Sequence, residues 1–440
     1  MTPFAIRPGR SWGRYPAARH SRVLQARWRD QLPALGDVPE PVLPSGCGRS
    51  YGDSGLNAEG ALIDATGLDR FIELGDDGLL RCEAGVTLAE ILDLVVPRGW
   101  CLPVVPGTRW VTVGGAIAND IHGKNHHRLG TFGAHVARLE LARSSGERLL
   151  CAAESNPELF AATIGGLGLT GLVLWAEIRL QRITGPGIDE ERFRFGRLDE
   201  FLAIAAEDAQ HEYTVAWVDC LSRGRRSGRG VYLRGAHHAL PADWRPLAVG
   251  PRVRVPCDAP SALLNRLTIS AFNALNYRRA PRGRSRRVVP FGTFFFPLDA
   301  IGDWNRLYGH RGFVQYQCVV PETPGGEAIH EILERVRASR EVPGLGVLKR
   351  FGAQRSRGLL SFPRPGLTLA VDLAFRGRST LELLEGLDAV VRQAGGAVYP
   401  AKDARMSGES FRAFFPAWER FSRHMDPRFS SSFWRRVNGN

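Results

Sequence analysis

Between Pro106 and His127 the chain runs P-G-T-R-W-V-T-V-G-G-A-I-A-N-D-I-H-G-K-N-H-H. Gly107, Gly114, Gly115 and Gly123 leave the backbone bare, and Thr108, Thr112, Ala116, Ala118 and Asn119 around them are small or short. Glycine permits close backbone approach, and amide N–H groups left free in such turns bind phosphate. A packed core needs neither, so the stretch reads as lining for a large phosphate-bearing cofactor. His122, Lys124, His126 and His127 bring polar chemistry to its far end. His122 and His126 have the i,i+4 spacing of a helical metal site, but Asn119, Asp120 and Gly123 argue against a helix there, and no metal is expected. Further along, a period-two reading of Phe313–Val320 puts Gln315 and Gln317 on one face and Tyr316 and Cys318 on the other. Two neutral amides on one strand face are costly in a dry core and suit a surface that binds sugar hydroxyls. An ordinary surface strand is the competing reading. Lys349 on Gly346–Phe351, and Thr368, Ala370 and Asp372 on Leu367–Phe375, can share that face. Lys402, within Y-P-A-K-D-A-R at 399–405, reads by itself as a solvated charge.

The elements that must position these residues follow from local pattern. Two more glycine-rich loops flank the first: P-S-G-C-G-R-S-Y-G-D-S-G at 44–55, and G-G-L-G-L-T-G at 165–171. One such loop is commonly just a turn; three within the first 171 residues are harder to dismiss. The first sits between the apolar run at 41–43 and a strand at Ala61–Asp64. Leu79–Gly85 reads as a strand, and Thr87-x-x-Glu90 as a capping box opening a helix over Leu88–Val96 that Gly99 ends. Val136–Ala142 and Glu147–Cys151 form an expected hairpin. Ser155-x-x-Glu158 is expected to cap a short helix before the third glycine run and the strand Leu172–Leu180. The pattern changes near Ile183–Gly187. Antiparallel-type strands (Tyr213–Val218, Phe313–Val320, Gly346–Phe351, Leu367–Phe375) then alternate with helices at Leu198–Ala209, Glu327–Ser339 and Ser379–Ala394, the last expected to be capped by Ser379-x-x-Glu382. Residues 221–288 read as irregular. The tail returns to short helices broken by Pro416 and Pro427.

With 440 residues, 44% of them hydrophobic and 23% charged, the chain is a soluble globular type long enough for two domains. No apolar run reaches membrane-spanning length. The arginine-rich beginning lacks the apolar core of a Sec-type signal peptide, so a cytoplasmic or peripherally membrane-associated protein is expected. Seven scattered cysteines without a C-x-x-C pair argue against a disulfide framework or structural zinc. The net charge of +13 fits an anionic substrate or a membrane surface. No nucleic-acid motif accompanies it, and nucleic acid is not an expected partner. No G-x-G-x-x-G follows a first strand, and Gly123-Lys124 lacks the rest of a Walker motif.

The loops at 106–115 and 165–171 resemble the flavin-binding loops of the vanillyl-alcohol-oxidase type of FAD-linked oxidases. G-R-S-Y-G-D at 48–53, the stretch at 106–127, W-N-R-x-Y-G at 304–309, Q-Y-Q at 315–317 and A-K-D-x-R at 401–405 resemble, more closely, the decaprenylphosphoryl-β-D-ribose 2-oxidase family. The resemblance runs from about Trp12 into the C-terminal region and is weakest over 221–288. It implies an α+β, two-domain fold. Residues 1–183, completed by 397–440, would form the FAD-binding domain. Residues 184–396 would form a substrate domain with an antiparallel sheet and a mobile basic segment at 221–288.

Carried onto this sequence, the resemblance implies FAD contacts from Ser45, Gly46, Cys47, Gly48, Arg49, Ser50, Tyr51 and Gly52 in the first loop. The second loop would supply Gly107, Thr108, Thr112, Val113, Gly114 and Gly115, and its end His122, Gly123, Lys124 and Asn125; Val173, Tyr399 and Lys402 complete the set. Gln315, Gln317, Lys349, Lys124, Tyr308 and Trp217 would line the substrate pocket. Lys402, His122 and Tyr51 are the catalytic candidates, Lys402 either anchoring a phosphate or taking a hydroxyl proton; a merely structural histidine is the other reading of His122. The first loop has no histidine to tether a flavin, so FAD is expected to be non-covalent, with Cys47 a small buried residue. Thr368 and Ala370 stand where several relatives carry asparagine and cysteine, so no thiol is present there for covalent inhibitors.

The implied reaction is oxidation of the 2-hydroxyl of a polyprenylphosphoryl ribose to the 2-keto sugar, with a short-chain-type keto-reductase partner completing epimerisation to the arabinose lipid. The arginines and phenylalanines of Asn276–Phe296 read either as a solvated loop before a core strand or as a mobile lid touching lipid. A soluble sugar-alcohol or aldonolactone oxidase on the same fold is the first alternative. A non-catalytic basic protein that binds membrane or nucleic acid is the second.

Overall fold

The strands flanking the glycine loops sort into separate sheets. The computed structural model describes residues 9–240, 251–260 and 263–439. Arg22–Gln25, Ala61–Asp64 and Val42–Ser45 make a three-stranded parallel sheet with Ala61–Asp64 in the middle. The centre strand is apolar and buried, as a parallel strand must be when both faces are covered. The first glycine loop leaves the end of this sheet at Ser45.

A five-stranded antiparallel sheet follows, in the order Phe71–Leu74, Leu79–Glu83, Leu172–Arg179, Val136–Ala142, Arg148–Ala152. The helix Leu88–Val95 packs beside it. Thr87 accepts from the Glu90 amide while the Glu90 carboxylate accepts from the Thr87 amide, so the expected capping box is present. Leu88, Ile91, Leu92 and Val95 recur at helical spacing and are buried. Gly99, at φ 77°, ends the following turn.

Gln181–Arg182 still pairs with Trp100–Cys101, but from Gly187 the chain enters an eight-stranded sheet. Its order is Ser285–Pro290, Gly187–Phe195, Gly230–His238, Tyr213–Val218, Pro343–Phe351, Gly366–Ala374, Phe313–Val320, Ala397–Val398, with every pair antiparallel. The register matters for function. Gln315 lies opposite Asp372, Gln317 opposite Ala370, Lys349 opposite Thr368 and Trp217 opposite Val347. These residues share one face. Tyr316, Cys318, Leu348, Leu369 and Val371 point the other way, into a core with the helices Glu322–Ala338 and Arg378–Gln393. Leu43, Leu62 and Leu169, and Phe411, Phe414 and Phe433 of the tail, join that same core.

Several local expectations need correction. Ser155 does not cap the helix Pro157–Thr163: Asn156 is the N-cap residue, and the Ser155 hydroxyl donates to the Leu150 carbonyl at 3.1 Å. Ser379 lies inside the helix that starts at Arg378, its hydroxyl drawn off to Glu341 at 2.7 Å. Residues 221–288 are not irregular where described: they contain the strand Gly230–His238, the helix Arg266–Arg279 and most of the edge strand Ser285–Pro290. Phe291, Phe294, Phe295 and Phe296 are core residues, not lid residues. Arg284, Arg286 and Arg287 pair with Glu191, Asp189 and Glu190 on the neighbouring strand, which offsets half of the segment's six arginines. The parts of these expectations at 1–8, 241–250, 261–262 and 440 fall outside the described residues. Among the described residues no helix is long and apolar enough to cross a membrane.

Candidate active site

All three glycine loops, the polar face of the eight-stranded sheet and the segment Tyr399–Lys402 meet around one cavity of about 700 Å³. That is within the usual ~300–1,000 Å³ of cofactor and ligand sites. The first loop lines part of it from Ser45 to Gly52. The amides of Gly46, Cys47, Gly48 and Ser50 donate to no backbone acceptor among the described residues. A row of unengaged N–H groups inside a folded protein calls for an acceptor, and phosphate oxygens fit it. In the second loop a Cβ on Gly107 would meet nothing within 4 Å and would project into open space. These features fit the pyrophosphate-bearing body of FAD.

Gly114 and Gly115 line the cavity but offer no free N–H. The Gly114 amide donates to the Ala84 carbonyl at 2.7 Å, and the Gly115 amide to the Thr112 hydroxyl that caps the helix Val113–Ala118. The third loop contributes Leu167, Gly168 and Gly171, and leads to Val173 on the cavity wall. Positive φ at Gly165, Gly168 and Gly171 explains why glycine occupies those turns.

The C-terminal segment is stitched to the first loop. The Tyr51 amide donates to the Ala401 carbonyl at 2.9 Å and the Asp53 amide to the Asp403 carbonyl at 3.3 Å. A Cβ on Gly52 would collide with that Asp403 carbonyl, so the close approach requires glycine. Arg436 spans Asp53 and Asp403, and Arg405 pairs with Asp388. This brings Lys402 over the Tyr51 ring, its Nζ 3.9 Å from the centroid. Tyr399 donates its hydroxyl proton to the Asn119 carbonyl at 2.7 Å and stacks on Phe362.

The far end of the cavity is cationic. Lys124, Lys349 and Lys402 all face it, with His122, Gln315 and Gln317. Removal from bulk water lowers each ammonium pKa. Lys124 falls to about 8. Lys349 falls to about 7 because burial is joined by repulsion from Lys124 and Lys402. Lys402 falls only to about 8, because the Asp372 carboxylate opposes the effect of burial. Burial raises Asp372 to about 6 despite hydrogen bonds from Gln315 and Tyr308 and the nearby Lys402. His122 is held neutral by burial, with Lys349, His126 and Lys402 adding to it. Burial pushes the Cys47 thiol up to about 11, so it is no nucleophile at neutral pH.

Most residues singled out in the sequence line this cavity: Ser45 through Gly52, Gly107, Thr108, Thr112, His122 through Lys124, Val173, Trp217, Gln315, Gln317, Lys349, Tyr399 and Lys402. Three do not. Val113 is buried in the apolar core. Asn125 is buried with its amide donating to the Pro103 carbonyl at 2.7 Å, a brace for the loop. Tyr308 stacks on Phe313 behind the cavity wall and reaches Asp372 from there. Sequence reasoning did not single out Asp299, which lines the cavity and accepts from the Arg109 amide at 2.9 Å, nor Phe272 and Asn276 on the helix Arg266–Arg279. No local pattern marked them. Trp12, noted only as the start of the resemblance, also lines the cavity, with the Arg49 guanidinium 4.2 Å from its ring.

Comparison with known proteins agrees with this geometry. Residues 35–152 match the family model described as FAD binding domain. The chain is 38% identical over 413 residues to decaprenylphosphoryl-beta-D-ribose oxidase of Mycolicibacterium smegmatis, covering 90% of this chain and 89% of that protein. It is 36% identical over 352 residues to an uncharacterized protein of Streptomyces coelicolor, covering 76% of this chain and 94% of that one. A shorter similarity, 28% over 155 residues, links it to cytokinin dehydrogenase 2 of Arabidopsis thaliana, over 34% of this chain and 30% of that one. The chain is an FAD-dependent oxidoreductase, and it belongs to the decaprenylphosphoryl-β-D-ribose oxidase family.

Proposed function

We propose that this chain oxidises the 2-hydroxyl of a polyprenylphosphoryl-β-D-ribose to the 2-keto sugar, with non-covalently held FAD as the oxidant. One observation carries the reading: the cavity that begins at the unengaged amides of the first loop ends in a wall of Lys124, Lys349, Lys402, Gln315 and Gln317. The ammonium groups of Lys124 and Lys402 suit the substrate phosphate and the glutamine amides suit ribose hydroxyls. Bound FAD supplies a hydride acceptor. The residues supply position and charge. Lys402, backed by Asp372, holds the anion, and Tyr51 beneath it fixes where the ammonium sits. Gln315 and Gln317, anchored through Asp372 and Thr368, orient the sugar.

In this reading residues 1–183 and 397–440 make up the FAD-binding domain and 184–396 the substrate domain. The chain change from one sheet to the next between Arg182 and Gly187 supports the first boundary; at the second, Ala397–Val398 still pairs with Phe313–Val320, and it is the chain from Tyr399 onward that returns to the first loop. Peripheral membrane contact is part of the same proposal. On the helix Arg266–Arg279, Leu267, Phe272 and Leu275 are exposed, the first at 79%, while Phe272 also lines the cavity. A lipid-borne substrate can therefore enter beside an apolar helix face. The short-chain-type keto-reductase that the resemblance implies would act next, on the 2-keto product.

Product analysis tests the reading. Incubation with polyprenylphosphoryl ribose and an artificial electron acceptor should give a sugar lipid lighter by two hydrogens and reactive towards carbonyl reagents. Turnover of free polyols or aldonolactones with no turnover of the lipid would replace this proposal with a soluble sugar oxidase.

A further inference from the structure

The hydrogen-bond polarity around His122 assigns different jobs to the cavity lysines. We infer that Lys349 is the proton acceptor for the substrate hydroxyl, an uncharged amine in the ligand-free protein, and that Thr368 is the positioning residue that keeps it so through Gln317 and His122. The catalytic half of this inference rests on the proposed function; the protonation half does not.

The hydrogen-bond network starts at a backbone carbonyl. The Thr368 hydroxyl donates its single proton to the Cys318 carbonyl at 2.8 Å. Its lone pairs therefore face Gln317, whose amide end lies 3.2 Å away. An amide oxygen there would set acceptor against acceptor, so the network assigns the NH₂ to that side. The same NH₂ lies 2.9 Å from His122 Nε2, which must then accept. A neutral imidazole carries one N–H, so in His122 it sits on Nδ1. Lys349 Nζ lies 3.1 Å from Nδ1. An ammonium has no lone pair to receive that proton; an amine does. One N–H of the amine remains for the Gly123 carbonyl at 3.4 Å.

The surroundings agree. The titratable groups facing Lys349 are His122, Lys124 and His126 from the central loop and Lys402 from the tail, and the charges that act on it are both positive. Lys402 differs, because Asp372 acts on it. Lys124 donates from Nζ to the Phe295 carbonyl at 3.0 Å and lies over the Phe294 and Phe295 rings; Lys349 also lies over a ring, Phe351 at 5.7 Å, so what separates the two is the imidazole nitrogen that faces Lys349 and not Lys124. Lys124 and Lys402 are thus the anion anchors. In the reaction the Nζ lone pair turns from the His122 Nδ1–H to the sugar hydroxyl; the O–H bond breaks, its proton forms a new N–H bond on Lys349, and the resulting ammonium faces the Gly123 carbonyl, which is also within reach of the His122 Nδ1–H. The hydride on the same carbon leaves to the FAD, so two electrons and one proton are accounted for.

Two measurements on the FAD-loaded enzyme test this. Long-range ¹H–¹⁵N spectra of ¹⁵N-histidine-labelled protein need no substrate. Wild type should show His122 as the Nδ1–H tautomer, its signals assigned by loss in His122→Asn, and Thr368→Val should convert it to Nε2–H. An Nε2–H tautomer in wild type, or no change in Thr368→Val, overturns the inference. Kinetically, Lys349→Arg keeps a cation that cannot accept a proton. It should lower kcat at least ~100-fold while KM stays within about threefold, whereas Lys402→Arg should change mainly KM. Retention of kcat in Lys349→Arg overturns the base assignment. A wild-type enzyme inert towards the ribose lipid would refute the substrate reading, and the histidine spectrum would still decide the protonation state.

Discussion

Arg436 sits on the helix Ser432–Asn438 and holds the tail against the first glycine loop. It donates to Asp53 at 2.7 and 2.8 Å and to Asp403 at 2.8 Å, and it also reaches the Met406 carbonyl. Both carboxylates are nearly inaccessible, at 5% and 2% side-chain exposure. Arg436→Met would leave two buried charges with one guanidinium fewer. Breaking such a pair from one side costs about 3–5 kcal/mol; Arg436 is itself 26% exposed, so the lower end, about 3 kcal/mol, applies. At about 2.1 cal/mol/K of unfolding entropy per residue, 440 residues carry about 0.9 kcal/mol/K, so Tm should fall by about 3 °C. Burial pushes the Asp403 carboxyl up, but Arg436 and Arg405 outweigh it and hold it below its usual range. A carboxylate with a lowered folded pKa gives stability that is present above its unfolded pKa and lost as pH falls through the folded one. Asp53 is already raised by burial despite Arg436, and without it both carboxyls move up. Groups raised in the folded state are relieved by protonation. The Tm gap between wild type and Arg436→Met should therefore be widest at neutral pH and narrow on acidification. Differential scanning fluorimetry across pH reads this directly, with the FAD-to-protein ratio as a second signal, because the clamp positions Tyr51 and Lys402. A gap that does not vary with pH would mean that Arg436 acts through packing alone and would refute the electrostatic argument.

Other expectations follow from the same geometry. Gly52→Ala drives a Cβ into the Asp403 carbonyl and should cost about 1–3 kcal/mol and lower FAD content after purification, measured by absorbance of the released flavin. Asp372→Asn removes the one carboxylate that keeps Lys402 charged. The rise in KM for the phosphorylated substrate, expected near pH 8 in wild type, should begin about one unit lower. Leu267→Asp combined with Leu275→Asp should weaken sedimentation with anionic vesicles at least ~10-fold without altering turnover of a short-chain, water-soluble substrate analogue.

Much of the site was legible because its signals are local. The period-two reading of Phe313–Val320 separated Gln315 and Gln317 from Tyr316 and Cys318, and the sheet keeps that separation. The capping box at Thr87 is complete within four residues and formed as read. Motifs of the same shape failed at Ser155 and Ser379, where a carbonyl and a carboxylate from elsewhere captured the hydroxyl. Distance in sequence hid other features. The arginines at 286 and 287 looked free because their acidic partners lie 97 positions away on the adjacent strand. Asp372 could be placed on the right face, but its bond with Gln315 and its action on Lys402 depend on strand register. The glycines at 114 and 115 looked like phosphate donors; their amides are used by Ala84 and Thr112, and the unengaged donors belong to the neighbouring loop.

In the proposed function one cavity holds FAD and a polyprenylphosphoryl ribose together. Anaerobic mixing of the FAD-loaded enzyme with that lipid, followed by flavin absorbance, tests it most directly. The ribose lipid should bleach the oxidised flavin, free polyols should not, and bleaching should be slow or absent in Lys349→Arg. Flavin that stays oxidised with the lipid but bleaches with free polyols would contradict it.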